Sequence, residues 1–108
     1  MDLNSKQRAY LRFLAQTEEA ILTIGKDGLT PEVTSAVEEA FTNRELIKVS
    51  VNKNCAEDIR ALLQTLSERT RALPVFTIGR KMVLYRAFRE NPVLDKELRK
   101  LTQKSKQE

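Results

Sequence analysis

Ile24-Gly25-Lys26-Asp27-Gly28-Leu29-Thr30-Pro31 is the stretch from which the fold can be worked outward. The apolar, β-branched run Ile21-Leu22-Thr23-Ile24 stops at Gly25, as a buried strand does. Thr30 carries an N-cap side chain, and Pro31 suits the first helical position, where its missing N–H is no loss. The stretch predicts a strand end, a glycine-flanked loop and a helix mouth. Glycines permit backbone angles that a Cβ disfavours, and they leave room for another molecule's backbone. Unpaired N–H groups at a helix start attract anions, and Lys26 adds a full positive charge. The physical reading is a small phosphate-contacting loop, with the carboxylate of Asp27 working against it. A plain strand-to-helix turn has the same spelling, so the rest of the chain must decide.

Upstream, residues 5–17 read as a first helix with Ser5 as N-cap and Tyr10, Leu11 and Leu14 on one face. Arg8 and Arg12, four apart, are surface neighbours, serving solubility or a second contact patch. Downstream, Thr30 to about Asn43 reads as a second helix with a stripe of Val33, Ala36, Val37, Ala40 and Phe41. Leu46 to Val51 alternates, with Leu46, Lys48 and Ser50 on one side and Ile47, Val49 and Val51 on the other, so it is a strand. Asn54-Cys55-Ala56-Glu57 resembles a capping box that opens a third helix to about Thr70. Ile59, Leu62, Leu63 and Leu66 form the buried stripe of that helix.

Pro74 opens the strand Val75–Ile78, Gly79-Arg80 turns, and Met82–Tyr85 returns as a hairpin that holds Arg80 and Lys81 out at its tip. Arg86 ends that strand, and Asn91-Pro92 marks a break. Residues 93–108 read as a short helix with Leu94, Leu98 and Leu101 on one side, then a frayed basic tail with Lys104 and Lys106. The expected organisation is one domain over 1–89 and a basic, partly helical tail over 90–108.

The order α-β-α-β-α-β-β places the chain in the α/β class. Strands separated by helices run parallel through right-handed crossovers, and the hairpin adds an antiparallel strand. The expectation is a two-layer sandwich with a four-stranded mixed sheet. Helices cover mainly one face, and the first helix or the tail covers some of the other.

The 108 residues suit one domain, and 41% hydrophobic with 31% charged residues is ordinary for a globular protein. No apolar run approaches a membrane span, and the expected location is cytoplasmic. There is no histidine, so Ser-His-Asp and His-ligated metal chemistry are excluded within this chain. The single cysteine, Cys55, cannot build a zinc cluster and reads as a small packing residue. Glu38 and Glu39 diverge by about 100° around a helix axis and cannot converge on one atom. The expectation is therefore no catalytic residues, no metal and no cofactor.

Charge is unevenly placed. Residues 1–43 carry four basic and seven acidic side chains, and residues 44–108 carry fifteen basic and eight acidic ones. From Arg69 to Arg89 there are six basic residues and no acid. That asymmetry favours a polyanionic partner, nucleic acid above membrane, against the alternative of a solvated basic face.

Four segments in this order carry a resemblance: Ser5-Lys6-Gln7-Arg8-Ala9-Tyr10-Leu11-Arg12, Ile24-Gly25-Lys26-Asp27-Gly28-Leu29-Thr30, Arg44-Glu45-Leu46-Ile47-Lys48-Val49 and Ile78-Gly79-Arg80-Lys81-Met82-Val83-Leu84-Tyr85-Arg86. Over about residues 3–86 the chain resembles the CRM domain, the chloroplast RNA splicing and ribosome maturation family, in its bacterial stand-alone YhbY-like form. The resemblance implies an RNA-binding domain similar in fold to the C-terminal domain of translation initiation factor three. It implies sheet order 1-2-4-3 with the fourth strand antiparallel. It also implies a GxxG loop, Gly25, Lys26, Asp27 and Gly28, that clamps RNA backbone as KH domains do. Single-domain bacterial members are associated with precursors of the large ribosomal subunit.

The expected function is a non-enzymatic, monomeric RNA-binding protein that holds ribosomal RNA and aids ribosome assembly. Thr30, Arg8, Arg12, Arg44, Lys48, Arg80, Lys81 and Arg86 would surround the loop as further RNA contacts. Tyr10, Tyr85 and the phenylalanines are expected in the core, so recognition would rest on RNA shape and backbone. The alternative is an adaptor that docks on a ribosomal protein through a hydrophobic sheet face.

Overall fold

A computed structural model describes the backbone of residues 2–107 and the side chains of residues 2–101. Lys104 and Lys106, and with them the expected frayed tail, lie outside the residues whose side chains are described. The elements are α1 (Ser5–Ala15), β1 (Ala20–Ile24), α2 (Pro31–Ala40), β2 (Leu46–Val51), α3 (Ile59–Thr70), β3 (Leu73–Ile78), β4 (Lys81–Tyr85) and α4 (Asp95–Gln107).

The starts of α1, α2 and α3 each have a side-chain cap, though not always the expected one. Asn4, not Ser5, caps α1: its Oδ1 accepts from Gln7 N at 2.8 Å, and Gln7 Oε1 accepts from Asn4 N at 2.8 Å. Ser5 is already helical, and the longer Asn-Gln pair satisfies two free donors reciprocally. Thr30 caps α2 as expected, with Pro31 at its first turn. The predicted capping box at Asn54–Glu57 is not formed. Residues 52–55 make a turn instead, Cys55 N donating to Asn52 O at 3.0 Å, and Asp58 caps α3 through Ala61 N at 3.2 Å. Ala36 faces solvent rather than joining the α2 stripe, while Val37 is fully buried.

α3 ends with Arg71 in the left-handed region at φ 58°, and Ala72 N donates to Ser67 O at 2.8 Å. Glycine is the usual residue for that geometry, because a Cβ disfavours it. Arg71→Gly is therefore expected to stabilise the domain by about 0.5–1 kcal/mol in urea unfolding. A loss of stability would mean that the arginine side chain contributes more than its backbone strain costs.

The sheet order is β1-β2-β4-β3. β1 and β2 are parallel, and β4 is antiparallel to both β2 and β3. The expected α/β class, mixed four-stranded sheet and 1-2-4-3 order are all present. Alternation in β2 divides the core as predicted. Ile47, Val49 and Val51 join Ile24, Met82 and Leu84 beneath α2 and α3, where Val37, Phe41, Leu62 and Leu66 complete one core. Leu46 faces the other way with Val75, Val83 and Tyr85, against Leu3, Leu11 and Ala15 of the α1 segment and Leu98 of α4. Each such large apolar side chain contributes about 1.5–3 kcal/mol when fully buried. Helices therefore lie on both faces, and α1 and α4 cover only part of the second.

Candidate functional site

The turn after β1 closes through Gly28 N donating to Gly25 O at 3.1 Å. Lys26 and Asp27 occupy its corners, and both side chains are exposed. Among the described residues, no acceptor pairs with the amide N–H groups of Lys26 and Asp27. The turn borders a shallow depression lined also by Thr30, Val33 and Asn54. The predicted glycine-flanked loop at the mouth of α2 is therefore formed.

Its chemistry differs from the sequence reading in three respects. Only Gly28, at φ 67°, uses a conformation reserved for glycine, whereas Gly25 does not. The room expected at both glycines is present only at Gly25, where an added Cβ would meet nothing within 4 Å. At Gly28 an added Cβ would sit 2.6 Å from Glu57 Oε2, so that side of the turn is closed by a carboxylate. The helix mouth is also less open than predicted. Thr30 Oγ1 already accepts from Val33 N at 3.2 Å, and Pro31 has no donor. Anion attraction here rests on the Lys26 and Asp27 amides and the Lys26 ammonium.

The twelve predicted contact residues do not form one continuous surface. The sheet register explains why. Thr23, Ser50, Lys81 and Ile78 are consecutive register partners across all four strands, just below the Gly25–Gly28 turn. Two rows further in, on the same face, lie Lys48, Val83 and Phe76, on the partly covered side. Lys48 and Lys81 line a groove there with Arg12, whose guanidinium carbon lies 5.4 Å from the centre of the Phe76 ring. The loop and this groove share one end of the sheet. Arg44 and Arg86 belong to the opposite end, where Leu46 pairs with Tyr85.

Three of the predicted cations are tied into the fold. Arg8 Nη1 donates to Pro74 O at 2.7 Å and Val75 O at 2.6 Å, which anchors α1 on an irregular step in β3. Arg80 is not held out at the hairpin tip. Its side chain folds back over the end of β2, Nε donating to Val51 O at 2.9 Å and Nη2 to Asn52 O at 2.6 Å. Arg86 donates to Thr70 O at 2.7 Å, pairs with Glu38 at 3.0 Å and stacks over Phe41 with 4.7 Å to the ring centre. Arg86 is thus a clip between helices. The phenylalanines also depart from expectation, since only Phe41 is buried, and Phe13 is 67% exposed on α1.

One central residue escaped the sequence reading. Glu45, buried just before β2, accepts from Phe88 N at 2.8 Å, Val93 N at 3.0 Å and Leu94 N at 2.9 Å. A carboxylate from the middle of the chain thus holds the segment that leads into α4. Burial, and then the negative charges of Glu45 and Asp95, push the Tyr85 hydroxyl up to about 12. The only hint in the sequence was a glutamate directly before a strand, which is too common to single out.

Fold and site together define a small α/β domain with a 1-2-4-3 mixed sheet and a glycine-flanked turn at its open end, beside a basic sheet face. The CRS1 / YhbY (CRM) domain description matches residues 3–86, and the chain belongs to that family. It is 38% identical over 93 residues to the "Probable RNA-binding protein YqeI" of Bacillus subtilis, covering 86% of this chain and 97% of that protein. An "RNA-binding protein" of Haemophilus influenzae is 35% identical, with 82% of this chain and 89% of the relative covered. The solution structure of the hypothetical protein SAV1595 from Staphylococcus aureus superposes with a TM-score of 0.72 at 43% identity, covering 82% and 93% of the two chains.

Proposed function

We propose that this protein binds RNA, and that its target is ribosomal RNA in precursors of the large ribosomal subunit, whose assembly it aids. The observation that carries the reading is the open turn at Gly25, with two unpaired amides and Lys26, at the same end of the sheet as Lys48 and Lys81. The names of its relatives and its family point the same way. Backbone amides and dispersed cations hold phosphates without reading sequence, which suits a structured target recognised by backbone. No catalytic role is proposed, and the protein is taken to act in the cytoplasm as a monomer. Residues 1–89 are taken as the RNA-binding unit and residues 90–108 as its basic appendage.

The test is RNA affinity measured against salt, with ribosomal RNA fragments and unrelated RNA as probes. The logarithm of affinity should fall linearly with the logarithm of salt, by about 0.7–0.9 for each phosphate neutralised. Lys26→Ala should lower that slope by nearly one such contact and leave unfolding unchanged, because the side chain is exposed. Salt-insensitive binding to an isolated ribosomal protein would instead support the adaptor reading.

A further inference from the structure

The half of the sheet face that α1 leaves open combines features that a solvated surface does not need. Arg12, Lys48 and Lys81 line its groove with Phe76, Ile78 and Val83, and no acid is among the lining residues. Among the described residues, no carboxylate pairs with any of these three cations. Ile78, 47% exposed, adds apolar surface beside Phe76 and Val83 in this groove. Phe76, half-buried, presents its ring beneath the planar guanidinium of Arg12. A flat cation seated on an aromatic ring is a stacking platform, and the cations beside it sit where a phosphate chain would pass.

We infer that this groove takes an unpaired segment of RNA, with one base stacked on the Arg12–Phe76 pair and its flanking phosphates on Lys48 and Lys81. The inference rests on the RNA-binding reading above and adds the class of RNA: single-stranded at this point. Duplex bases are stacked on one another and cannot lie on a side-chain platform, whereas splayed loop bases can. The groove is also placed to continue from the turn. Thr23, Ser50, Lys81 and Ile78 form a row across the sheet beneath Gly25. Crossing from β1 to β3 takes three strand spacings, roughly 15 Å in all, a reach of a few nucleotides. One strand can therefore be held by backbone at the turn and by a base at the groove. The net positive groove fits this occupant better than it fits a hydrophobic protein surface, for which three unpaired cations would have to be desolvated.

The experiment compares a short fluorescent unstructured RNA with the same strand annealed to its complement, on the full chain. Phe76→Leu keeps an apolar side chain against the core and removes the ring. Arg12→Lys keeps the charge and removes the plane. Both should weaken single-strand binding between about five- and a hundredfold and leave the salt slope unchanged, since no phosphate contact is lost. Duplex binding should change little. Ultraviolet crosslinking of bound single strand, read by mass spectrometry, should mark the peptide containing Phe76, which a merely structural ring would not do. If the protein binds RNA but both variants match the parent and no crosslink maps to β3, this inference is overturned and the RNA reading stands. If the parent protein binds neither probe nor ribosomal RNA, both fall together.

Discussion

Glu45→Ala is expected to destabilise the domain by about 3 kcal/mol or more in urea unfolding. It should also expose the amides of residues 86–98 to hydrogen exchange. Glu45 is 5% exposed, and its two oxygens accept three backbone N–H groups from one short segment. Truncation would leave Phe88, Val93 and Leu94 N–H without partners at a site poorly open to water. It would also remove the negative charge that faces the start of α4, where the helix dipole is positive. Leu98 and Gln7 would feel the change next, because Gln7 Nε2 donates to Leu98 O at 2.9 Å only while α4 stays docked. Glu45→Gln keeps an oxygen for two of the donors but turns an NH2 group toward the third, so its cost should be about 1–3 kcal/mol. Tyr85 supplies a second readout. Losing the Glu45 charge should lower its pKa from about 12, yet leave it above the ordinary value of about 10, since burial is the larger cause. A folded-state value above the unfolded one favours the native fold below about pH 10 and ceases to do so as pH rises through 12. Alkaline loss of stability should therefore begin near the same pH in the variant, be smaller, and end at a lower pH. Unchanged stability and an unchanged Tyr85 titration would mean that the segment after β4 holds itself in place.

This arrangement shows where sequence reading works on this chain and where it stops. β2 was legible to the residue, because a period of two over Leu46–Val51 has one meaning, and the side it assigned to Lys48 was the right one. The α2 mouth was legible because Thr30-Pro31 is a strong local signal. The cap of α3 was misplaced because Asn54-Glu57 and Asp58 are both acceptable spellings. The choice between them was made by the turn at 52–55 packing Cys55 inward. Arg8, Arg80 and Arg86 could not be sorted from Lys48 and Lys81 by sequence. Each of the three reaches a carbonyl contributed by a distant segment, and nothing in a local pattern records that. The Arg12–Phe76 pair was hidden for the same reason, being 64 positions apart in the chain and adjacent only where α1 packs against β3.

Gly25→Val is expected to weaken RNA binding at least tenfold while leaving folding stability within about 0.5 kcal/mol. The reason lies in the unequal roles of the two glycines. Gly28 is required by the fold itself: φ is 67°, and a Cβ would press on Glu57. Any substitution there mixes backbone strain with function, so lost binding could reflect a distorted turn. Gly25 has an ordinary φ and open space where its side chain would be. Folding gives it no reason to be glycine. If the open space is where a sugar–phosphate backbone approaches the Lys26 and Asp27 amides, two methyl groups there block the approach and disturb little else. Gly25→Ala, with one carbon, should fall between the parent and the valine variant, and all three should unfold at similar urea concentrations. The salt slope should drop in the valine variant, because phosphates kept from the turn no longer release counterions. Should the valine variant bind with parental affinity and slope, RNA does not enter at this turn, and the cations of the sheet face must hold it alone.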